Sequence, residues 1–129
     1  MASKEQVANI LDTIRSCISR GSDHFIFLSN RPDNRQTLHD LGFKLRDVKQ
    51  VILQLEVEDY FGGPEPNRSP YAPEMFVDSD MWMFGKIVEG LSTCEIYMKF
   101  SFTKTDEGPV TCCVSFHKAK EKIKYPFKD

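Results

Sequence analysis

The residues best suited to chemistry lie in two stretches near the C-terminus, residues 94 to 103 and 109 to 117, in which apolar side chains recur at every second position. On a strand, such alternation sends successive side chains to opposite faces. The spacing predicts Ile96, Met98, Phe100 and Phe102 on a core face, and Glu95, Tyr97, Lys99 and Ser101 on an open one. In the second stretch Val110, Cys112, Val114 and Phe116 take the core side, with Thr111, Cys113, Ser115 and His117 opposite. A connection symmetric about Asp106 then sets Lys99 across from Cys113, Tyr97 across from Ser115 and Glu95 across from His117. A phenol, an ammonium, a hydroxyl and an imidazole are thereby expected on one patch.

These groups suffice to cleave RNA, which needs proton transfer at the 2′-hydroxyl and at the leaving oxygen, together with cationic stabilisation of the phosphorane. His117 is the expected general acid or base. Lys99 and Lys86 are expected to neutralise the phosphate, and Tyr97 to donate a hydrogen bond or position the substrate. Ser115, Lys118 and Trp82 complete, with Lys99, the expected RNA-binding surface. Lys86 reaches it only if a bulge at Gly85 frees it, because simple alternation groups it with Trp82, Phe84 and Val88. Glu95 is the lone carboxylate of the patch, so no metal and no cofactor are expected. The competing reading is plain: outward Tyr, Lys, Ser and His also occur on ordinary half-exposed sheets. His24 and His39 lack any such context and read as structural. No phosphate-binding glycine loop, Gly-x-Ser-x-Gly elbow, zinc-type HExxH helix or calcium loop is present.

The elements that must position this patch follow from periodicity. Val7, Ile10, Leu11, Ile14, Cys17 and Ile18 recur at helical steps, predicting a helix over residues 4 to 20 with a Ser3/Gln6 capping box and a stop at Gly21. Residues 25 to 28 read as a brief strand, residues 33 to 41 as a short helix ending at Gly42, and residues 45 to 55 as a further amphipathic helix. Residues 61 to 73, rich in Gly and Pro, predict a long loop. Strands over 81 to 88, 94 to 103 and 109 to 117 complete an α+β fold, with N-terminal helices on one face of a C-terminal antiparallel sheet.

A chain of 129 residues with 40% hydrophobic content suits one domain, residues 1 to 129, with one core. The absence of a long apolar run and of an apolar N-terminal segment predicts a cytoplasmic protein without a membrane partner. Cys17, Cys94, Cys112 and Cys113 show no CxxC spacing, so reduced, buried thiols are expected. Charge is uneven. Residues 56 to 80 hold seven acids against Arg68 alone, whereas residues 98 to 129 hold seven lysines against four acids. The basic end offers itself to a polyanion, although a lysine-rich tail is also an ordinary solvated surface.

Several of these pieces, taken in order, resemble a known family. Leu41-Gly42-Phe43, Val51-Ile52-Leu53-Gln54-Leu55, Glu58-Asp59-Tyr60, Trp82-Met83-Phe84-Gly85-Lys86, Glu95-Ile96-Tyr97-Met98-Lys99, Val114-Ser115-Phe116-His117 and the ending Tyr125-Pro126-Phe127 are similar to the MqsR-type toxins of bacterial toxin–antitoxin systems, grouped with the RelE-like ribonucleases. The resemblance spans about residues 23 to 127. It implies a RelE/MqsR-like fold and a metal-independent endoribonuclease that cuts mRNA and is neutralised by an antitoxin protein. Tyr97 then stands on the family's catalytic tyrosine, Lys86 and Lys99 on its cations, and His117 where the best-studied branch has lysine. That branch also has a lysine at about Gly62 and a glutamine at Met83. The contrary expectation is a catalytically silent relative that binds a protein through the same sheet, with the acidic stretch 56 to 80 facing a basic partner.

Overall fold

The computed structural model describes residues 1–128. Helix α1 (Lys4–Ser19) starts at the expected capping box: the Gln6 N–H donates to Ser3 Oγ at 3.1 Å, and the Ser3 N–H donates to Gln6 Oε1 at 2.9 Å. Strand β1 (Phe25–Phe27) follows, then α2 (Pro32–Leu41), closed by Gly42 in the left-handed region at φ +70°, and α3 (Leu45–Leu53). Four more strands complete the chain: β2 (Tyr60–Pro66), β3 (Asp80–Glu89), β4 (Thr93–Thr105) and β5 (Gly108–Lys118). Among the described residues the architecture is α+β, with three α-helices and a five-stranded sheet in the order β1-β5-β4-β3-β2.

Two expectations need correction here. The sheet is mixed rather than wholly antiparallel, because β1 runs parallel to β5 at one edge, with Ile26 beside Cys112. Part of the expected loop is strand β2, antiparallel to β3 at the other edge. An edge strand tolerates Pro64 and Pro66, which cannot donate to a ladder, and the register shifts twice along it.

Side chains from all three helices, among them Val7, Leu11, Ile14, Leu41, Val48 and Ile52, share one core cluster with Trp82, Phe84, Ile96, Met98, Phe100 and Phe116. Val110, Cys112 and Val114 do not join it, contrary to the simple alternation. They form a second cluster with Leu28, Phe76 and Met81, while Cys113 takes a place in the helix-side core. The cause is register. The turn leaves only Asp106 and Glu107 unpaired, so Thr105 meets Gly108 and the ladder runs in step to Phe100 opposite Cys113. There it shifts by one residue at Val114, and Lys99 pairs with Ser115 and Tyr97 with His117. The pairs Lys99–Cys113, Tyr97–Ser115 and Glu95–His117 are thereby corrected.

The second cluster is roofed by residues 67 to 79, which bring Phe76 to full burial and hydrogen-bond Ser79 to Ser101 through their hydroxyls. No helix among the described residues is long and apolar enough to cross a membrane. Burial pushes the Cys112 thiol up to about 12 and the Cys113 thiol upward as well, so neither is a ready nucleophile.

Phe84 is fully buried whereas Ile87, on the opposite face of the same strand, is 63% exposed. Phe84→Ala is expected to cost about 3–5 kcal/mol in urea unfolding, and Ile87→Ala no more than about 0.5 kcal/mol. Equal losses would contradict the assignment of faces.

Candidate active site

The half of the far sheet face that the 67–79 segment leaves uncovered is a cleft of about 580 Å³, lined by Arg31, Phe61, Tyr97, Lys99, Ser115, His117 and residues 120 to 124. Its floor comes from the β4–β5 ladder. Tyr97 and His117, paired across it, stack with ring centroids 5.3 Å apart and planes 14° from parallel. Lys99 Nζ stands 5.3 Å from the Tyr97 ring centroid and 3.8 Å from Glu65 Oε1 on β2.

Arg31, the residue before α2, reaches over from the β1 side. Its Nη1 donates to the Val114 carbonyl at 3.1 Å and to Ser115 Oγ. The shift at Val114 thus presents that carbonyl to a guanidinium, which delivers a cation beside Ser115.

The other wall is the C-terminal segment beyond β5. Glu95 anchors it: Oε1 accepts from the Ile123 N–H at 3.0 Å and Oε2 from the Tyr125 hydroxyl at 2.9 Å. Gly85, opposite Tyr97, makes the seat possible, because a Cβ there would stand 2.5 Å from Ile123 Cδ1 and 2.6 Å from the Tyr125 oxygen. Burial and the Glu95 carboxylate both raise the Tyr125 pKa, keeping the phenol a donor. With Ile123 buried against the sheet, Lys120, Lys122 and Lys124 remain exposed along the cleft.

Burial is the main force on His117. Desolvation disfavours the imidazolium and holds its pKa below 6.5, opposed by the hydrogen bond to the Lys118 carbonyl and reinforced by Arg31. That carbonyl lies 3.0 Å from Nδ1. A carbonyl only accepts, so Nδ1 carries the proton, and in the neutral ring Nε2 keeps the lone pair. The ring is therefore set up as a base near neutral pH. Among the described residues the Tyr97 hydroxyl donates to the Met83 thioether alone, at 3.6 Å, a weak acceptor that leaves its proton available.

The expected site residues divide accordingly. Tyr97, Lys99, Ser115 and His117 line one cleft. Lys86, Trp82 and Lys118 do not. Lys86 pairs with Ile96 on the helix side and lies 3.7 Å from Asp59, since β3 runs past Gly85 without a bulge. Trp82 belongs to the helix-side core, near Tyr60, its indole too apolar to leave in water. Lys118 also pairs with Ile96 and binds Asp40 of α2 at 2.7 Å. Sequence reasoning missed Arg31, for which spacing offers no signal, and Phe61, whose Gly- and Pro-rich surroundings point to a loop. It counted Lys120, Lys122 and Lys124 only as a basic end, although their alternation with Ile123 and Tyr125 marks an extended segment with one apolar side. His24 is buried with Nδ1 3.2 Å from the Pro109 carbonyl, a structural position. Among the described residues no group of three or more His, Cys, Asp or Glu side chains is placed to hold a metal ion.

Comparison of the chain with protein-family models, with curated proteins and with solved structures finds no match.

Because the folded chain holds His117 neutral, the unfolded chain takes up a proton on this ring at higher pH than the folded one does. Its contribution to stability is complete above 6.5 and is lost as pH falls through the lower folded-state value. An NMR titration is expected to place the His117 pKa below 6.5, Arg31→Met to raise it, and His117→Gln to flatten the acid-side decline of stability. A wild-type value at or above 6.5 would contradict this account.

Proposed function

We propose that this protein is a metal-independent endoribonuclease that cuts mRNA, the toxin of a toxin–antitoxin pair with a RelE/MqsR-like fold, acting in the cytoplasm and neutralised by an antitoxin protein. The observation that carries the reading is the Tyr97–His117 stack in a cleft bordered by Arg31 and Lys99. Neutral His117 takes the 2′-hydroxyl proton on Nε2 as the 2′-oxygen attacks phosphorus. The P–O2′ bond forms and the P–O5′ bond breaks. The departing 5′-oxygen takes a proton from the Tyr97 phenol, which is restored from solvent. Arg31 and Lys99 offset the charge that gathers on the phosphorane oxygens. The Lys99–Glu65 pair is no obstacle: Glu65 is exposed, such pairs are weak, and a phosphate replaces it readily. The family pieces quoted above support the toxin role, and the acids of residues 56 to 80 offer a basic antitoxin a complementary surface.

The purified protein is expected to cut RNA in EDTA and to leave a 2′,3′-cyclic phosphate or its 3′-phosphate product. His117→Ala is expected to lower the rate about 10²- to 10⁴-fold with RNA binding nearly intact. Lys99→Ala should weaken binding and reduce its salt dependence, and Lys86→Ala, outside the cleft, should leave turnover unchanged. RNA left uncut, or cut at the wild-type rate by the His117→Ala protein, would favour a silent protein-binding relative.

A further inference from the structure

The cleft has two chemically distinct parts, and the proposed chemistry uses only one. Arg31, Lys99 and the lysines of the C-terminal segment answer a phosphate, whereas Phe61 and Ile123 present carbon to the same cavity. Phe61 follows the fully buried Tyr60 on β2, so alternation turns Tyr60 to the helix-side core and Phe61 to the cleft. Its ring is braced by two aromatic neighbours, Tyr97 at 5.2 Å and 59° and Tyr125 at 6.5 Å and 82°. Both meet it at steep angles. Other rings of this protein do stack nearly parallel, as Tyr60 with Phe127 at 20° and Tyr97 with His117 at 14°, so Phe61 stands out as a braced ring in the cleft with no parallel partner among the described residues.

We infer that Phe61 is a stacking platform for one nucleobase of the substrate, so that the protein takes single-stranded RNA with a base turned out of its stack into the cleft. The inference rests on the ribonuclease reading. A planar π-face beside clustered cations is the pairing that single-strand binders use, because every base offers a face for stacking and every phosphate a charge. A base in a duplex has both faces covered by its neighbours and must leave the helix to reach such a ring. A cavity of about 580 Å³ lies in the range of sites that enclose one small ligand, not a duplex. The platform also fixes position along the strand: a base seated on Phe61, which contacts Tyr97, holds its own linkage beside the Tyr97–His117 stack.

The test couples the ring to a base. A fluorescent RNA with 2′-O-methyl groups throughout, which removes the nucleophile, is titrated at constant salt, and an abasic unit is walked along it. At one position the abasic unit is expected to weaken wild-type binding about 5- to 150-fold, and Phe61→Ala to weaken binding of the intact strand by a similar factor. The two together should be no worse than either alone, and Phe61→Trp should retain affinity and show the coupling. Should Phe61→Ala fail to fold, Phe61→Leu replaces it. Multiplying effects, or no sensitive position although unmodified RNA is cut, would overturn the base platform and leave the ribonuclease reading standing. If the wild-type protein neither binds the methylated strand nor cuts unmodified RNA, both fall.

Discussion

Had β5 kept the register set by the turn at Asp106 and Glu107, Lys99 would pair with Val114 and Tyr97 with Phe116. Ser115 and His117 would then face the helices, and two large apolar side chains would stand on the open face. The shift at Val114 inserts one residue and restores the parity beyond it. On the turn side of the shift, Cys112 and Val110 occupy the far face with Ser101 and Thr103; on the other side, Ser115 and His117 occupy it with Lys99 and Tyr97. A side-chain period of two makes any odd slip a change of face, so the cleft depends on this extra residue. Arg31 and Asn34 hold it in place: each donates to the Val114 carbonyl, and Asn34 Oδ1 accepts from the Phe116 N–H at 2.9 Å.

The far face is divided by what covers it. Residues 67 to 79 bury the apolar part contributed by Val110, Cys112, Val114 and Met81, and the C-terminal segment walls the polar part. The wall depends on an absent side chain at Gly85 and a carboxylate at Glu95, both in the ladder that carries Tyr97. The acidic stretch is also less of a barrier to phosphate than its composition implies. Asp59 is buried on the helix side between Lys86 and Lys128, each at 3.7 Å, so its charge is answered locally. Of the acids from 56 to 80, only Glu65 forms an ion pair with a cleft cation.

Local signals survived into the structure and long-range ones did not. The caps at Ser3 and Gly42 and the three long strands were legible because each depends on a few neighbouring residues. The grouping of Tyr97, Lys99, Ser115 and His117 survives two displacements in the same direction: the turn lies one residue away from the symmetric register, and the shift at Val114 adds a second. Their sum, being even, preserved the face. The same reasoning failed for Val110, Cys112 and Val114, which lie before the shift is complete. Trp82 and Lys118 have residue types suited to RNA, but strand parity pairs them with Phe100 and Ile96 on the helix side. Lys86 would need a bulge at Gly85 that β3 does not form, and Arg31 depends on how α2 docks against β5, which no local pattern encodes.

Across the β2–β3 ladder Gly62 faces Met83. They form one local unit: a Cβ at Gly62 would stand 2.8 Å from Met83 Cε, so the thioether occupies the space that a side chain at 62 would claim. The pair is apolar. Its consequence falls on Tyr97, whose hydroxyl points at the Met83 sulfur. A glutamine there would offer an amide oxygen and hold the phenol proton firmly, whereas a thioether holds it weakly. The thioether leaves the phenol free as a proton donor. Within the proposed chemistry, it suits a site whose base is the neutral imidazole of His117 and whose cations are Arg31, from the start of α2, and Lys99, from β4.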